Sequence, residues 1–261
     1  MSKVIKSLSN REQSSTLDPP GTPPGGSLQR TIIERFGRSV ISGQWEAGTV
    51  LNMDDLALEH GVSRSVIREA VGVLTNYGLL ESRKRRGTIV LESSAWNAFA
   101  PDVIAWRLDD PQQRDEQFRS LVELRMAIEP VAAYLAAYRI DPEQGKQLIS
   151  VAEKMIELGA SGRLDRFLEA DLLFHQILLQ GSNNDLFLTL NMFIEEILAG
   201  RHRLGRMPFR TDPGATDQHL VLAKAIAHGD PLAARAACTY IVEQAAEELN
   251  LADPTLRALH N

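Results

Sequence analysis

The most constraining feature of this sequence is the run Gly61-Val-Ser-Arg-Ser-Val-Ile-Arg-Glu-Ala70 together with what flanks it. Val66, Ile67, Ala70, Val71 and Leu74 recur at helical spacing and give one buried stripe. Ser63 is placed to cap that helix, although Val66 stands where a full capping box would carry Glu. Gly61 follows a short helix over Met53–His60, at the position where a left-handed residue often ends a helix. Asn52 caps this short helix, and Leu56 is its main apolar contact. Upstream, Ile32, Ile33, Phe36, Val40 and Ile41 stripe a further helix that begins near Leu28 and ends at Gly43. Trp45, Val50 and Leu51 anchor the loop after it. Downstream, Gly78 closes the third helix, and Leu79–Ser82 and Thr88–Leu91 read as two short strands around the basic tip Arg83–Gly87. Three helices followed by a two-stranded hairpin are the layout of a winged helix-turn-helix.

Past residue 92 there is no strand pattern and no internal repeat. Pro and Gly punctuate the chain, and the spacing predicts helices over 114–139, 142–158, 163–180, 184–204, 214–228 and 231–250. Leu121, Leu124, Ile128, Val131 and Leu135 line one face of the first. The expected fold class is therefore mainly α: an N-terminal winged helix-turn-helix with a small two-stranded wing, and a C-terminal all-α bundle of about six helices. A length of 261 residues suits two domains. The winged unit is expected over 28–92, a linker over 93–112 and the bundle over 113–251. Residues 1–27 include four prolines and three glycines between Leu17 and Ser27, with no apolar face. Such a stretch cannot bury enough surface to offset its ordering entropy, so a flexible tail is expected there, and a second tail over 252–261.

Hydrophobic residues at 44% and charged residues at 24% exclude global disorder. No apolar run approaches the ~20 residues of a membrane helix. Met1–Asn10 has no apolar core of signal-peptide length, and a cytoplasmic chain with no membrane partner is expected. The single cysteine, Cys238, excludes an intrachain disulfide and a cysteine-built zinc site. A net charge of −6 argues against a nucleic-acid partner until it is divided by region. Residues 1–92 hold 12 Lys+Arg against 10 Asp+Glu, and residues 93–261 hold 16 against 24. The balance is thus +2 in the winged unit and −8 in the rest, the asymmetry of a basic binding module joined to something else.

In a helix-turn-helix the second helix enters the major groove N-terminus first. Ser63 and the free amides at that end suit a phosphate. Arg64 and Arg68 are one helical turn apart and share a face, where an arginine can grip guanine O6 and N7. Arg83, Lys84, Arg85 and Arg86 sit on the wing, and Gly87 lets its tip approach a phosphate. One such arginine alone would be a solvated charge; the ordered combination points to double-stranded DNA. Few phosphate contacts per monomer imply a homodimer on a palindromic operator.

The segment from Asp55-Leu-Ala through Gly61–Ala70 to Gly78-Leu-Leu and Arg86-Gly-Thr resembles the DNA-binding domain of the GntR superfamily of bacterial regulators. The likeness implies that Ser63, Arg64, Arg68, Arg86 and Gly87 occupy the family's main DNA-contact positions. That family often has an arginine in the second helix where this chain has Asp54, an acid that cannot make the same phosphate contact.

A second constellation lies in the C-terminal part. Asp171 and His175 are four apart on one helix and point to one side, and His219 opens a later helix. An Asp and a His one turn apart can chelate a divalent ion, with His219 as a third ligand. The plain alternative is a satisfied core histidine and an exposed aspartate. Arg125 lies beside the apolar stripe of the first long helix and suits a carboxylate ligand, unless it simply pairs with Glu129 at i,i+4.

Glu-Leu-Arg-x-x-Ile-Glu-Pro at 123–130, Asp-x-x-x-His at 171–175, and His219 with Ala225-Ile-x-x-Gly-Asp230 resemble the all-helical FCD ligand-binding domain of FadR-like regulators. The resemblance implies a metal held by an Asp and up to three His, with a carboxylate effector nearby. Asp171, His175 and His219 match three ligand positions; the fourth would fall near Ile241, where this chain has no His. Zinc, nickel and manganese are not distinguished. Trp96-Asn-x-x-x-Pro-Asp-Val-Ile-x-Trp106 is similar to the linker of regulators of galactonate and related sugar-acid catabolism. That likeness implies an aldonate or similar hydroxy acid, held by Arg125 with Arg201, His202 or Arg203. The reading is a ligand-responsive regulator, a repressor of a catabolic or transport operon. Its competitors are a metal-dependent enzyme built on Asp171, His175 and His219, which lacks a general-base motif, and an architectural DNA-binding protein, which would not need the acidic helical domain.

Overall fold

A computed structural model describes residues 24–83, 86–205 and 213–249, with side chains except at 24–27 and 213–216. Lys84 and Arg85, most of the expected N-terminal tail and the expected C-terminal tail lie outside the described residues.

Helix α1 spans Pro24–Ile41 and so begins inside the stretch expected to be a tail. Proline lacks the N–H that a first helical turn leaves unused, which is why Pro24 is tolerated there. Strand β1 (Val50–Leu51) precedes α2 (Met53–Glu59) and α3 (Arg64–Asn76). The Asn52 side chain accepts from the Asp54 amide, and Ser63 Oγ accepts from the Val66 amide, so both short helices are capped as their sequences require. Between them Gly61 takes φ +64°, the left-handed turn that lets α3 leave α2 abruptly.

Strands β2 (Leu80–Arg83) and β3 (Gly87–Val90) form the wing hairpin, with Arg83 opposite Gly87. The expected two-stranded wing is corrected to three strands. β1 pairs with the other edge of β3, Val50 opposite Ile89 and Leu51 opposite Thr88, in the order β1-β3-β2. A two-residue strand carries no alternation to read; only its long-range pairing makes it a strand.

Helix α4 (Pro101–Asp109) leads to the bundle: α5 (Arg114–Arg139), α6 (Pro142–Ala160), α7 (Leu164–Gly181), α8 (Asp185–Thr189), α9 (Asn191–Arg203), α10 (Pro213–Ala227) and α11 (Pro231–Glu248). The single helix expected over 184–204 is two. The apolar spacing runs through Leu190 without interruption, but there the amide bonds tighten to Leu190 N→Phe187 O and Phe193 N→Leu190 O, a one-turn 3-10 step that periodicity does not register.

Two cores result. One gathers α1, α2, α3 and the wing around Phe36, Ile67, Leu74 and Leu79; the other gathers α5 to α11 around Phe118, Leu148, Phe174 and Leu178. Helix α4 belongs to both. Val103 and Trp106 enter the first core, Ile104 and Leu108 the second. Trp106 packs against α1 at Gly37, where an added Cβ would stand 2.2 Å from its ring. Polar contacts flank this seam. Arg30 grips Asp102 through two bonds of 2.6 and 2.7 Å, and the Tyr77 hydroxyl donates to the same carboxylate at 2.8 Å. Arg38 of α1 and Arg203 of α9 both reach Asp109. Burial favours the neutral Asp102 acid, but the bonds from Arg30 and Tyr77 outweigh it and hold the carboxyl below its ordinary range.

The Trp106 contact makes a paired prediction. Gly37→Ala forces the ring or the helix to move and should destabilise the protein by about 1–3 kcal/mol in urea unfolding. Gly72→Ala, in α3 with open space around it, should instead stabilise by about 0.5–1 kcal/mol through helix propensity alone.

Candidate DNA-reading surface and effector site

The start of α3 presents Ser63, Arg64 and Arg68 to solvent, while Ile67 and Val71 of the same helix are buried. The Ser63 hydroxyl is engaged with its own helix and lies 3.0 Å from Ser65 Oγ. The wing tip brings Arg83, Arg86 and Gly87 together: Arg83 pairs with Glu81 at 2.8 Å, and the Arg86 amide donates to Arg83 O. Gly87 takes φ +87°, so a side chain there would be strained. Asp54, read in the sequence only as a lost phosphate contact, has its Oδ1 2.7 Å from Arg64 Nε. Spacing could not reveal this pair, because the two residues lie on different helices.

In the bundle, α7 and α10 bring Asp171, His175 and His219 to one point. All three are buried, and one ligand atom from each lies within 4.8 Å of the others. Asp171 Oδ1 is 3.4 Å from His175 Nε2 and 3.7 Å from His219 Nε2. Asp171 Oδ1 is also a buried oxygen with no hydrogen-bond partner. A carboxylate and two imidazoles around an orphaned anionic oxygen fit a divalent cation of the zinc, nickel or manganese kind. Ile241, near which a fourth ligand His would fall, is a core residue.

Behind His175 stands the i,i+4 pair of Arg125 and Glu129. Arg125 Nε donates to Glu129 Oε1 at 2.5 Å, and both side chains are almost wholly buried. The guanidinium expected to hold an effector carboxylate is thus already engaged by an internal one, and its terminal nitrogen lies 3.3 Å from His175 Nε2. His175 Nδ1 is 3.2 Å from Glu129 Oε2, within ion-pair range although no hydrogen bond is formed. Glu129 therefore faces one ring nitrogen while the other points at Asp171, an arrangement that orients the ring for a ligand. Burial works against ionisation at both groups. Arg125 and His175 nevertheless hold Glu129 down at about 2, and Glu129 and Asp171 hold His175 up at about 9.

Arg201, His202 and Arg203 close α9, and successive helical residues diverge by roughly 100°. Arg203 turns to Asp109 of α4, His202 to Asp165 of α7 at 2.9 Å, and Arg201 to Glu248 of α11. Arg201 is the one of the three that senses the cluster. Burial lowers its pKa most, and the nearby Arg125 charge lowers it further, against Glu248 and Asp171. Its Nε is buried with no hydrogen-bond partner.

Residues 28–90 match the description "Bacterial regulatory proteins, gntR family", and residues 120–244 match the FCD domain. The regulatory protein ascribed to the L-lactate dehydrogenase operon of Escherichia coli (strain K12) is 31% identical over 219 residues, covering 80% of this chain and 81% of that one. The galactonate operon transcriptional repressor of the same organism is 27% identical, covering 84% and 95%. The solved structure of Lar from Listeria monocytogenes superposes with a TM-score of 0.52 over 90% of this chain and 100% of that one, at 15% identity, a likeness of fold alone. The chain belongs to the GntR family of regulators, in the branch that carries an FCD domain. It is a DNA-binding transcription regulator and not an enzyme. Among the described residues no helix is long and apolar enough to cross a membrane.

The cluster predicts a pH dependence of cation binding. His175 must lose its proton to become a ligand, so zinc affinity measured by calorimetry on chelator-stripped protein should rise about tenfold per pH unit from pH 7 and level off near pH 9. His175→Ala should remove both the slope and most of the affinity. The stability sign is the opposite one. In the metal-free chain the raised His175 pKa contributes stability that is full below ~6.5 and lost as pH rises through about 9.

Proposed function

We propose that the protein is a homodimeric, cytoplasmic repressor of a catabolic or transport operon. It binds a palindromic operator through Ser63, Arg64, Arg68 and the wing residues Arg83, Arg85, Arg86 and Gly87, and a 2-hydroxycarboxylate releases it. The observation that carries the effector half is Arg201 Nε, a buried donor with no acceptor, on a guanidinium that senses both Asp171 and Arg125. A buried unmet donor is costly in the free protein, and a ligand carboxylate would meet it.

Asp171, His175 and His219 would hold the cation, which would supply a Lewis-acidic anchor for the ligand's oxygens. Three protein donors leave positions open for a carboxylate and its neighbouring hydroxyl. The names of two relatives support this class, since galactonate and L-lactate are both 2-hydroxycarboxylates. Arg125 acts from behind, through Glu129 and His175.

Helix α9 is the means of transmission. Its last turn carries both Arg201, which pairs with Glu248 of α11, and Arg203, which reaches Asp109, where Arg38 of α1 also ends. A ligand that draws Arg201 inward shifts the same turn that braces the DNA-binding unit. Two states that differ in the separation of the recognition helices then differ in operator affinity, and the effector favours the weaker.

Fluorescence anisotropy against the DNA upstream of its own gene and a scrambled duplex tests this reading. Operator binding should exceed scrambled binding by roughly 10³ or more and fall steeply with salt. Arg64→Ala or Arg68→Ala should cost about 1–3 kcal/mol of discrimination. Galactonate or L-lactate should weaken the wild type on its operator. Arg201→Gln and His175→Ala should keep operator affinity and lose the response. An operator complex indifferent to every 2-hydroxy acid tested would refute the effector assignment and leave DNA binding standing.

A further inference from the structure

We propose that Asp54 is a specificity-determining residue of the DNA-reading surface, acting by holding Arg64 in the orientation that reads guanine. The inference rests on the DNA-contact role given above to Arg64. Asp54 is the second residue of α2 and Arg64 the first of α3, and the turn at Gly61 brings these two helix starts side by side. Across that gap Asp54 Oδ1 lies 2.7 Å from Arg64 Nε.

The point of attachment matters. A guanidinium has donors along two usable edges, one including Nε and one formed by the two terminal nitrogens. With a carboxylate at Nε, the terminal fork remains free, and that fork matches guanine O6 and N7. An unrestrained arginine brings about 2 kcal/mol of rotamer entropy to any contact. A partner that fixes the guanidinium plane beforehand removes part of that cost, and it does so only for the contact that the fixed plane fits. Arg68, one turn along the same face, makes no ion pair among the described residues and keeps its freedom. The two arginines are therefore unequal: Arg68 adapts, and Arg64 is aimed.

Charge leads to the same division. Asp54 stands in the first turn of α2, where a helix N-terminus favours an acid. Facing a duplex, a carboxylate there opposes phosphate binding, and its pairing with Arg64 offsets a positive charge that would otherwise bind any sequence. The pair thus exchanges non-specific attraction for discrimination. Its contribution to folding is small, because the two side chains are 72% and 55% exposed. A variant at Asp54 consequently leaves the fold intact, which thermal melting verifies.

The test uses the full-length protein and duplexes enriched by the wild type from a random pool. Each guanine of the half-site is replaced in turn by 7-deazaguanine, which lacks the N7 acceptor. The wild type should lose affinity sharply at one guanine, and Arg64→Ala should lose sensitivity there. Asp54→Asn should reduce that sensitivity about tenfold, bind scrambled DNA more tightly, and steepen the salt dependence by about one counterion. In an Arg64→Ala background, Asp54→Asn should leave the 7-deazaguanine profile unchanged. A uniform tightening on every duplex, with discrimination intact, would make Asp54 a mere competitor for Arg64 and overturn the proposal. An Asp54→Asn effect on that profile that persists without Arg64 would overturn it too. If no sequence is enriched, or Arg64→Ala changes nothing, the DNA-contact assignment itself fails and takes this inference with it.

Discussion

The architecture depends on a helix with no free face. None of the nine residues of α4 is exposed. Val103 and Trp106 complete one core, Ile104 and Leu108 complete the other, and Asp102 and Asp109 are held from the sides by arginines. Burial of apolar surface on both sides makes α4 a shared wall rather than a tether. Any change in how the bundle packs around Leu108 is felt on the side of Trp106, because closely packed interiors shift as units.

Inside the bundle the governing cost is electrostatic. Arg125, Glu129, His175 and Asp171 form a line of ionisable groups with almost no access to water. Apolar residues of similar size would often be as stable or more so. Charges kept inside at such cost, with one carboxylate oxygen left unmet, are the usual sign of a site whose stabilising partner is a ligand. The buried thiol of Cys238, pushed up by burial and by Glu129, stays a neutral filler beside this line.

Much of this was legible in the sequence wherever the signal was local. Ser63 and Gly61 fixed the turn and the start of α3, and the i,i+4 spacing of Asp171 and His175 put both on one face. Features set by distant pairing were not legible. β1 exists only because β3 passes beside it, and the break between α8 and α9 lies inside an unbroken apolar pattern. The charge partners show the same limit. Arg125 and Glu129 are neighbours on one helix, so their pairing was open to view; the placing of Glu129 on His175, Arg203 on Asp109 and Asp54 on Arg64 required the fold. Arg201, His202 and Arg203 read as one basic cluster in a line of text, whereas the helix turns them to three different partners.

The contact of Trp106 with Gly37 also bears on how such a chain can be inherited. The two residues come from different stretches of the sequence, yet the ring occupies the space that any side chain at 37 would need. A recombination event that joined the first helix of one relative to the connecting helix of another would succeed only where a missing Cβ met a large ring. The connecting helix is bound in the same way to the sensor half, where Leu108 would stand 3.0 Å from a Cβ at Gly200, so an exchange of halves must match the helix to both sides.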